Sequence, residues 1–299
     1  MSAFVLKLIA VVSMLIDHAA YSLYLAGEFS GGGYVYMRAV GRIAFPLFAF
    51  MIVNGFEHTH NLRRYFSRLV LFAVISQPLY RLVFTAGNYG AQAFAGGGIA
   101  VSLDTAGGVT PALAALIAAA YFVIVCRGKP ERSFVPVCAA LLLPYIHLEV
   151  CGVALLGGKL NVLYTLALGL AVIAALDALC RTRGERDALL RALALLFTAA
   201  AAVLLMQANA SYGYMGLALI AALYLARPRR AYQVGVIVLW CVCEYAVMQS
   251  SWLYALAAML AAIPVLLYDG RIGARMRGFY LVYPLNLGIF YVISFLVSR

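Results

Sequence analysis

Apolar residues in this chain fall into long unbroken runs, not the alternating or three-and-four spaced stripes of a water-soluble fold. A membrane-crossing helix needs about 20 such residues, and eleven runs come near that length: 4–25, 35–56, 66–84, 110–126, 133–156, 160–180, 188–208, 211–226, 231–249, 252–268 and 278–297. The pattern predicts an all-α, polytopic transmembrane helix bundle of about eleven helices in a single domain, 1–299. It is weakest at 110–126, which is short and Ala-rich. It is also weak at 133–156, which holds Pro136, Pro144, His147 and Glu149; prolines are tolerated inside such a helix only where neighbours satisfy the freed carbonyls.

The links between runs sort by charge. Basic ones are 57–68, 127–132 (Arg127, Lys129, Arg132), 181–191 (Arg181, Arg183, Arg186, Arg191), 227–230 and 269–277 (Arg271, Arg275, Arg277). Those with little positive charge are 26–34, 85–109, 157–159, 209–210 and 250–251, and the two kinds alternate without a break. Positive residues collect on the cytoplasmic side, so the expected N-terminus is cytoplasmic and the C-terminus outside. No cleavable signal peptide is expected, because the first run is long enough to span.

Composition agrees. The chain is 66% hydrophobic and 11% charged, against about 25% charged residues in a soluble domain. Its mean hydropathy is +0.96. The net charge of +11 lies scattered over short links, whereas nucleic acid requires one continuous basic face; no nucleic-acid partner is expected. The six cysteines lack zinc spacing, and Cys241 and Cys243 point to roughly opposite sides of one helix. The glycine runs 31–33 and 96–98 lack the Lys-Ser/Thr of a phosphate-binding loop.

Charge inside the apolar runs is the candidate chemistry. Asp17 and His18 lie in the first run and Arg38 and Arg42 in the second, and each such group costs roughly 2.5–3.5 kcal/mol at mid-helix on insertion scales. Counting about 1.5 Å per residue from the outer ends places Asp17, His18 and Arg42 roughly 10–12 Å deep, with Arg38 one turn above Arg42 on the same face. The two helices are consecutive, so the four groups can meet in one pocket open to the outside. Two readings stand. In one, Asp17 and Arg42 form a structural ion pair and His18 is helix glue. In the other, His18 is a general base, Asp17 orients it or pairs with arginine, and the arginines clamp an anionic or carbonyl group. Adjacent helix positions point about 100° apart, so another residue orients His18 if Asp17 does not.

A second cluster, Asn54, Glu57, His58, His60, Asn61, Arg63, Arg64, Tyr65 and Arg68, sits at the inner end of the second run. Its histidines are too loosely spaced for a metal site, and none is expected. Basic groups there attract lipid headgroups or a phosphate-bearing cytosolic molecule. Gln77, Asn161, Thr165, Tyr283 and Asn286 are further polar groups within runs, where packing competes with chemistry.

Several stretches resemble the TraX family, membrane proteins associated with N-terminal acetylation of F-type conjugative pilin. The resemblance is strongest over 6–84, in LKLIAVVSMLIDHAA and RAVGRIAFPLFAFMIVNGFEHTHNLRRYFSRLVLFAVISQPLYRLVF. It resumes at NVLYTLALGL (161–170), YGYMGLALIAALYL (212–225), YDGRIG (268–273) and YPLNLGIFYVI (283–293). The family pattern falls on Asp17, His18, Arg38, Arg42, Pro46, Glu57, His60, Asn161, Thr165, Tyr212, Gly213, Tyr283 and Pro284. Departures are Asn286 where the family usually has His, Ser211 where it has an acid, and Ser76-Gln77-Pro78 where it has Glu-Ile-Pro. Short members run from the third helix almost directly to the Asn-Val-x-x-Thr-Leu motif. Here 85–159 intervenes, which implies an inserted helical hairpin on a nine-helix core.

The resemblance implies an integral-membrane acyltransferase of the bacterial inner membrane. It would take acetyl-CoA from the cytosol and pass the acetyl group to an amine or hydroxyl outside, on a pilin N-terminus or an envelope glycan or small molecule. His18, Asp17, Arg38 and Arg42 are then expected at the reacting centre. Glu57, His60, Arg63, Arg64, Asn161, Thr165, Tyr283 and Asn286 are expected along the acetyl-CoA path. A transporter using the same buried charges and a noncatalytic pilus assembly factor are the alternatives, and the oligomeric state is open.

Overall fold

The first apolar run forms α1 (Ala3–Leu25), and 23 residues at 1.5 Å each cover the ~30 Å hydrocarbon thickness. The second run divides into α2 (Gly31–Gly41) and α3 (Ala44–His58). Pro46 explains the break: it carries no N–H for the carbonyl four residues back, that of Arg42, and its ring crowds that carbonyl. The chain tightens instead, with the Arg42 and Ile43 amides donating to the carbonyls of Ala39 and Val40 at 3.1 and 3.2 Å. The third run is α4 (Leu62–Phe84).

The computed structural model describes residues 1–84, 98–103, 111–126, 133–151, 153–180, 186–274, 276 and 278–297. Most of the loop 85–109, the link 127–132, and Arg181, Arg183, Arg275 and Arg277 lie outside the described residues, as does the Arg186 side chain. Later elements are β1 (Ile99–Leu103), α5 (Pro111–Tyr121), α6 (Phe134–Leu142), β2 (Ile146–Val150), β3 (Val153–Leu156), α7 (Val162–Cys180), α8 (Arg186–Gln207), α9 (Gly213–Leu225), α10 (Arg230–Cys241), α11 (Trp252–Met259), α12 (Ala262–Leu266) and α13 (Val282–Val297). A π-helical turn, Val242–Met248, extends α10. Among the described residues seven helical segments are long and apolar enough to cross a membrane, and the protein is a multi-pass all-α membrane bundle.

The run 133–156 departs from expectation. Its helix stops at Leu142, a 3-10 turn carries Pro144, and the remainder forms β2 and β3. With β1 they make an antiparallel sheet of order β1-β2-β3. Past Pro144 the residues Ile146, Leu148 and Val150 alternate with His147 and Glu149, a two-residue period that suits a strand.

The most buried element is α7, every residue of which from Leu163 to Ala175 is buried. It packs against α3, α4, α6, α8 and α9. Gly169 lets α9 come close, because a side chain there would collide with Ile220.

The links sort to two ends. The N-terminal amine donates to the Leu267 carbonyl at 2.7 Å, Arg227 pairs with Glu57 at 3.6 Å, and Lys7 lies 5.4 Å from the Phe279 ring centre. Residues 57–61, 227–229, 267–274 and 278–279 thus share one end with Met1; it is rich in arginine. At the other end the Ser211 amide donates to the Leu160 carbonyl at 3.0 Å, and α2 packs on α11.

Candidate functional site

A cavity of about 340 Å³ opens at the arginine-poor end and is lined by α1, α2, α4, α13 and the links before α7 and α9. Asp17 stands in its wall. One carboxylate oxygen accepts from Arg38 Nη1 at 2.6 Å and the other from Arg42 Nη2. Arg42 Nε also donates to the Arg38 carbonyl at 3.2 Å, so the i, i+4 pair is locked by backbone as well as by charge. This closeness of α1 and α2 requires Gly41, where any Cβ would run into the Asp17 side chain. Arg38 sits 4.6 Å from the Tyr21 ring centre and Arg42 5.8 Å from that of Tyr254, attractive cation–π placements.

His18 is buried in the same cavity wall, edge-on to Phe84 and Tyr283 with ring centres 5.1 and 5.8 Å away. Its partner is Asn286, whose amide lies 2.9 Å from Nδ1. Asn286 therefore orients the imidazole, and Asp17 belongs to the arginines. The tautomer follows the amide orientation. With the amide nitrogen toward Nδ1, Nε2 carries the proton, and Asn286 Oδ1 is buried with no partner among the described residues. Turned over, the amide oxygen accepts from Nδ1–H and leaves the Nε2 lone pair free for a base.

Among the groups in this cavity not singled out from the sequence are Lys159, Glu244 and Gln249. Lys159 is held at the mouth by Gln77 Nε2, which donates to its carbonyl at 2.9 Å. The side chain keeps access to solvent, yet enough protein surrounds it that desolvation, then Arg38 and Arg42, push its ammonium below the ordinary lysine range. Tyr212, in a left-handed conformation at φ 62°, stacks on Phe45 with ring centres 3.8 Å apart.

The expected acetyl-CoA residues separate into groups. Tyr283 and Asn286 join His18. Asn161 and Thr165 are buried in packing: Asn161 Nδ2 donates to Gln77 Oε1 and the Ala73 carbonyl, both at 2.8 Å, and Thr165 Oγ1 donates to the Ser211 carbonyl at 2.6 Å. These bonds fix the link that carries Lys159 and lie outside the cavity lining. Glu57, His60 and Arg63 line a separate cavity of about 1040 Å³ with Asp177, Tyr224 and Arg227. Arg64 starts α4 through its amide, which donates to Asn61 Oδ1 at 2.9 Å.

The cavity at the arginine-rich end that adjoins the one holding His18 is another, about 510 Å³, with Lys7, His58 and Arg68 among its polar lining. Its wall is otherwise largely aliphatic and aromatic, including Val11, Met51, Leu69 and Leu166. Met14, Phe48, Val162 and Tyr283 line both this cavity and the one holding His18. The two cavities thus have these four side chains as a common wall. Among the described residues no cluster of three or more His, Cys, Asp or Glu side chains could hold a metal ion.

The TraX protein family model matches residues 2–94 and 144–294, most of the chain. A probable fimbrial assembly protein FimC, serogroup H1, of Dichelobacter nodosus is 43% identical over 79 residues, 26% of this chain and 31% of that relative. The match thus spans about a third of that relative's length. No solved structure matches.

Proposed function

The chain belongs to the TraX protein family, and from that premise we propose that it transfers an acetyl group from cytosolic acetyl-CoA to an amine or hydroxyl on the far side of the inner membrane. The observation that carries the reading is the pair of cavities meeting at Met14, Phe48, Val162 and Tyr283. The positive-inside rule puts the arginine-rich end in the cytosol. There Lys7, His58 and Arg68 suit the phosphates of coenzyme A, and the apolar wall beyond them suits the pantetheine arm. The thioester carbonyl then lies at the partition, within reach of groups on the outer side.

His18, held by Asn286, takes the proton from the acceptor nitrogen or oxygen as that atom bonds to the carbonyl carbon. Negative charge develops on the carbonyl oxygen. Arg38 and Arg42 supply it with donors, since each guanidinium spends only part of its five N–H groups on Asp17 and the Arg38 carbonyl. The C–S bond breaks and the proton passes from His18 to the departing thiolate. Because the D. nodosus relative is named for fimbrial assembly, a pilus subunit is the first acceptor to test, ahead of envelope glycans.

The test is acetyl transfer in proteoliposomes with acetyl-CoA on one face and acceptor on the other. His18→Ala should lower the rate about 100-fold or more; full activity in that variant removes His18 from the mechanism. A common wall also suits a transporter, which predicts solute flux without release of coenzyme A thiol.

A further inference from the structure

Lys159 has no part in the chemistry above, yet it lines the cavity that holds His18. A lysine in a link is ordinarily a solvated surface group, but the backbone around this one is fixed. Gln77 Nε2 holds its carbonyl, and Gln77 Oε1 accepts from the Asn161 amide at 3.0 Å. The next carbonyl, that of Leu160, accepts from the Ser211 amide and hydroxyl at 3.0 and 3.1 Å. Gly157 and Gly158 lead into Lys159 at φ 85° and 64°, and a side chain at Gly157 would meet the His147 ring. The link is thus anchored on both sides of the lysine, at the cavity opening.

Charge decides what the opening takes. Arg38, Arg42 and Lys159 line the cavity against Asp17 and Glu244, three cations to two anions. A proton on His18 would only enlarge the surplus. Asp17 is engaged with both arginines, and Glu244 Oε1 accepts from Gln249 Nε2 at 2.8 Å. Among the described residues no carboxylate comes within 4.0 Å of the Lys159 ammonium. The charges that act on it are those of Arg38 and Arg42, and neither acid offsets them. Arg38 lies one turn nearer the outer end than Arg42 and keeps N–H groups that Asp17 does not use. A cation would be repelled here, and a neutral group would leave the surplus standing in a partly desolvated site. One oxyanion balances it. Guanidinium and ammonium groups together are suited to carboxylate or phosphate.

We propose that Lys159 and Arg38 form an oxyanion subsite at the mouth of the cavity, which binds a carboxylate or phosphate group of the ligand. The binding stands apart from the acyltransfer reading. What rests on that reading is that the ligand is the acceptor, so that the acceptor carries an anionic group besides its attacking atom. Anchored at the mouth, it presents that atom inward to His18.

Phenylacetate and phenylacetamide share a skeleton and differ in charge, and with benzyl phosphate they serve as probes. Calorimetry on the full chain in phosphatidylcholine nanodiscs, corrected with empty nanodiscs, should show at least one of the two anions bound about tenfold or more tightly than the amide. Lys159→Met should cut that preference at least about threefold, and Lys159→Arg should keep it. Parity of both anions with the amide in the unaltered chain overturns the proposal. So does a smaller drop in Lys159→Met, because unselective attraction of anions to a chain of net charge +11 survives the loss of one lysine. Gel-filtration and circular-dichroism profiles matching the unaltered chain qualify each variant; if Lys159→Met fails them, Lys159→Gln decides in its place by the same threshold. Native mass spectrometry from micelles containing phosphatidylglycerol separates the sources of the anion. Lipid retained by the unaltered chain and lost in Lys159→Met marks a lipid headgroup, and no such dependence marks a soluble ligand; with the calorimetric preference in place, either upholds the subsite. Release of coenzyme A thiol from acetyl-CoA is scored separately. An anion preference without thiol release upholds the subsite and overturns the acyltransferase, and thiol release without the preference does the reverse.

Discussion

Asp17 is the single anion between the buried Arg42 guanidinium and the half-buried one of Arg38, and removing it strands both. Asp17→Ala should therefore cost about 3–5 kcal/mol of stability, the range for breaking a buried pair. Unfolding in mixed micelles would measure it, and adding Arg42→Met should recover part of the loss. His18 depends on one hydrogen bond for its orientation. Asn286→Leu should lower the transfer rate about tenfold, the equivalent of one lost bond, while Asn286→Asp keeps an acceptor for Nδ1–H and keeps the rate. Lys159 works in the other direction. Its proton affinity is lowered in the fold, so its charge opposes folding while both folded and unfolded chains are protonated. That penalty fades as pH rises through the lowered value and is gone above the ordinary lysine range. Lys159→Met should then stabilise the protein at neutral pH, by less than about 1 kcal/mol because the group is exposed, and change nothing at high pH. The quartet of Asp17, His18, Arg38 and Arg42 was legible because charge inside an apolar run demands a reason. By the same rule Glu244, an acid in the run 231–249, could have been read. Lys159 could not, since a charge in a link is cheap and nothing in the sequence says the link folds over a cavity. That Asn161 and Thr165 bond within the packing was not legible, because polar groups that satisfy packing look the same in one dimension as polar groups that face a ligand.

Two prolines set the elements around the site, and only one outcome was visible beforehand. Pro144 was readable as a weak point in 133–156, and the alternation after it carried the strand signal. A length rule for spanning helices overrode that signal. Pro46 gave no warning, because a proline four residues past an arginine reads as an ordinary member of an apolar run. In the fold it ends α2 at the residue whose guanidinium must reach Asp17. Pro46→Ala should let the Arg42 carbonyl take a regular helix bond and join α2 to α3. The join rotates Arg42 relative to Arg38. Expected together are stability equal to or above that of the unaltered chain, by thermal unfolding in micelles, and a loss of acetyl transfer.

At the scale of the whole molecule, the sorting of links by charge anticipated that residues 57–61 and 227–229 share the arginine-rich end with Met1. It could not show that the two ends are hollow and nearly meet. That depends on how side chains from α1, α3, α7 and α13 converge, which no single run encodes. The partition they build gives the sharpest test of transfer across the bilayer. Val162 stands in it, at the start of α7 and in contact with both cavities. Val162→Trp overfills that layer, and overpacking costs about 1–3 kcal/mol, less than typical total stability. Coenzyme A should still bind from the arginine-rich face, since Lys7, His58 and Arg68 are untouched, while transfer to an acceptor on the opposite face stops. Val162→Ala should keep transfer. If the tryptophan variant still acetylates an acceptor across the bilayer, the acyl group travels by a route other than this layer. If the tryptophan variant loses coenzyme A binding as well, the pantetheine arm must already occupy the partition in the bound state, and the two cavities act as one chamber.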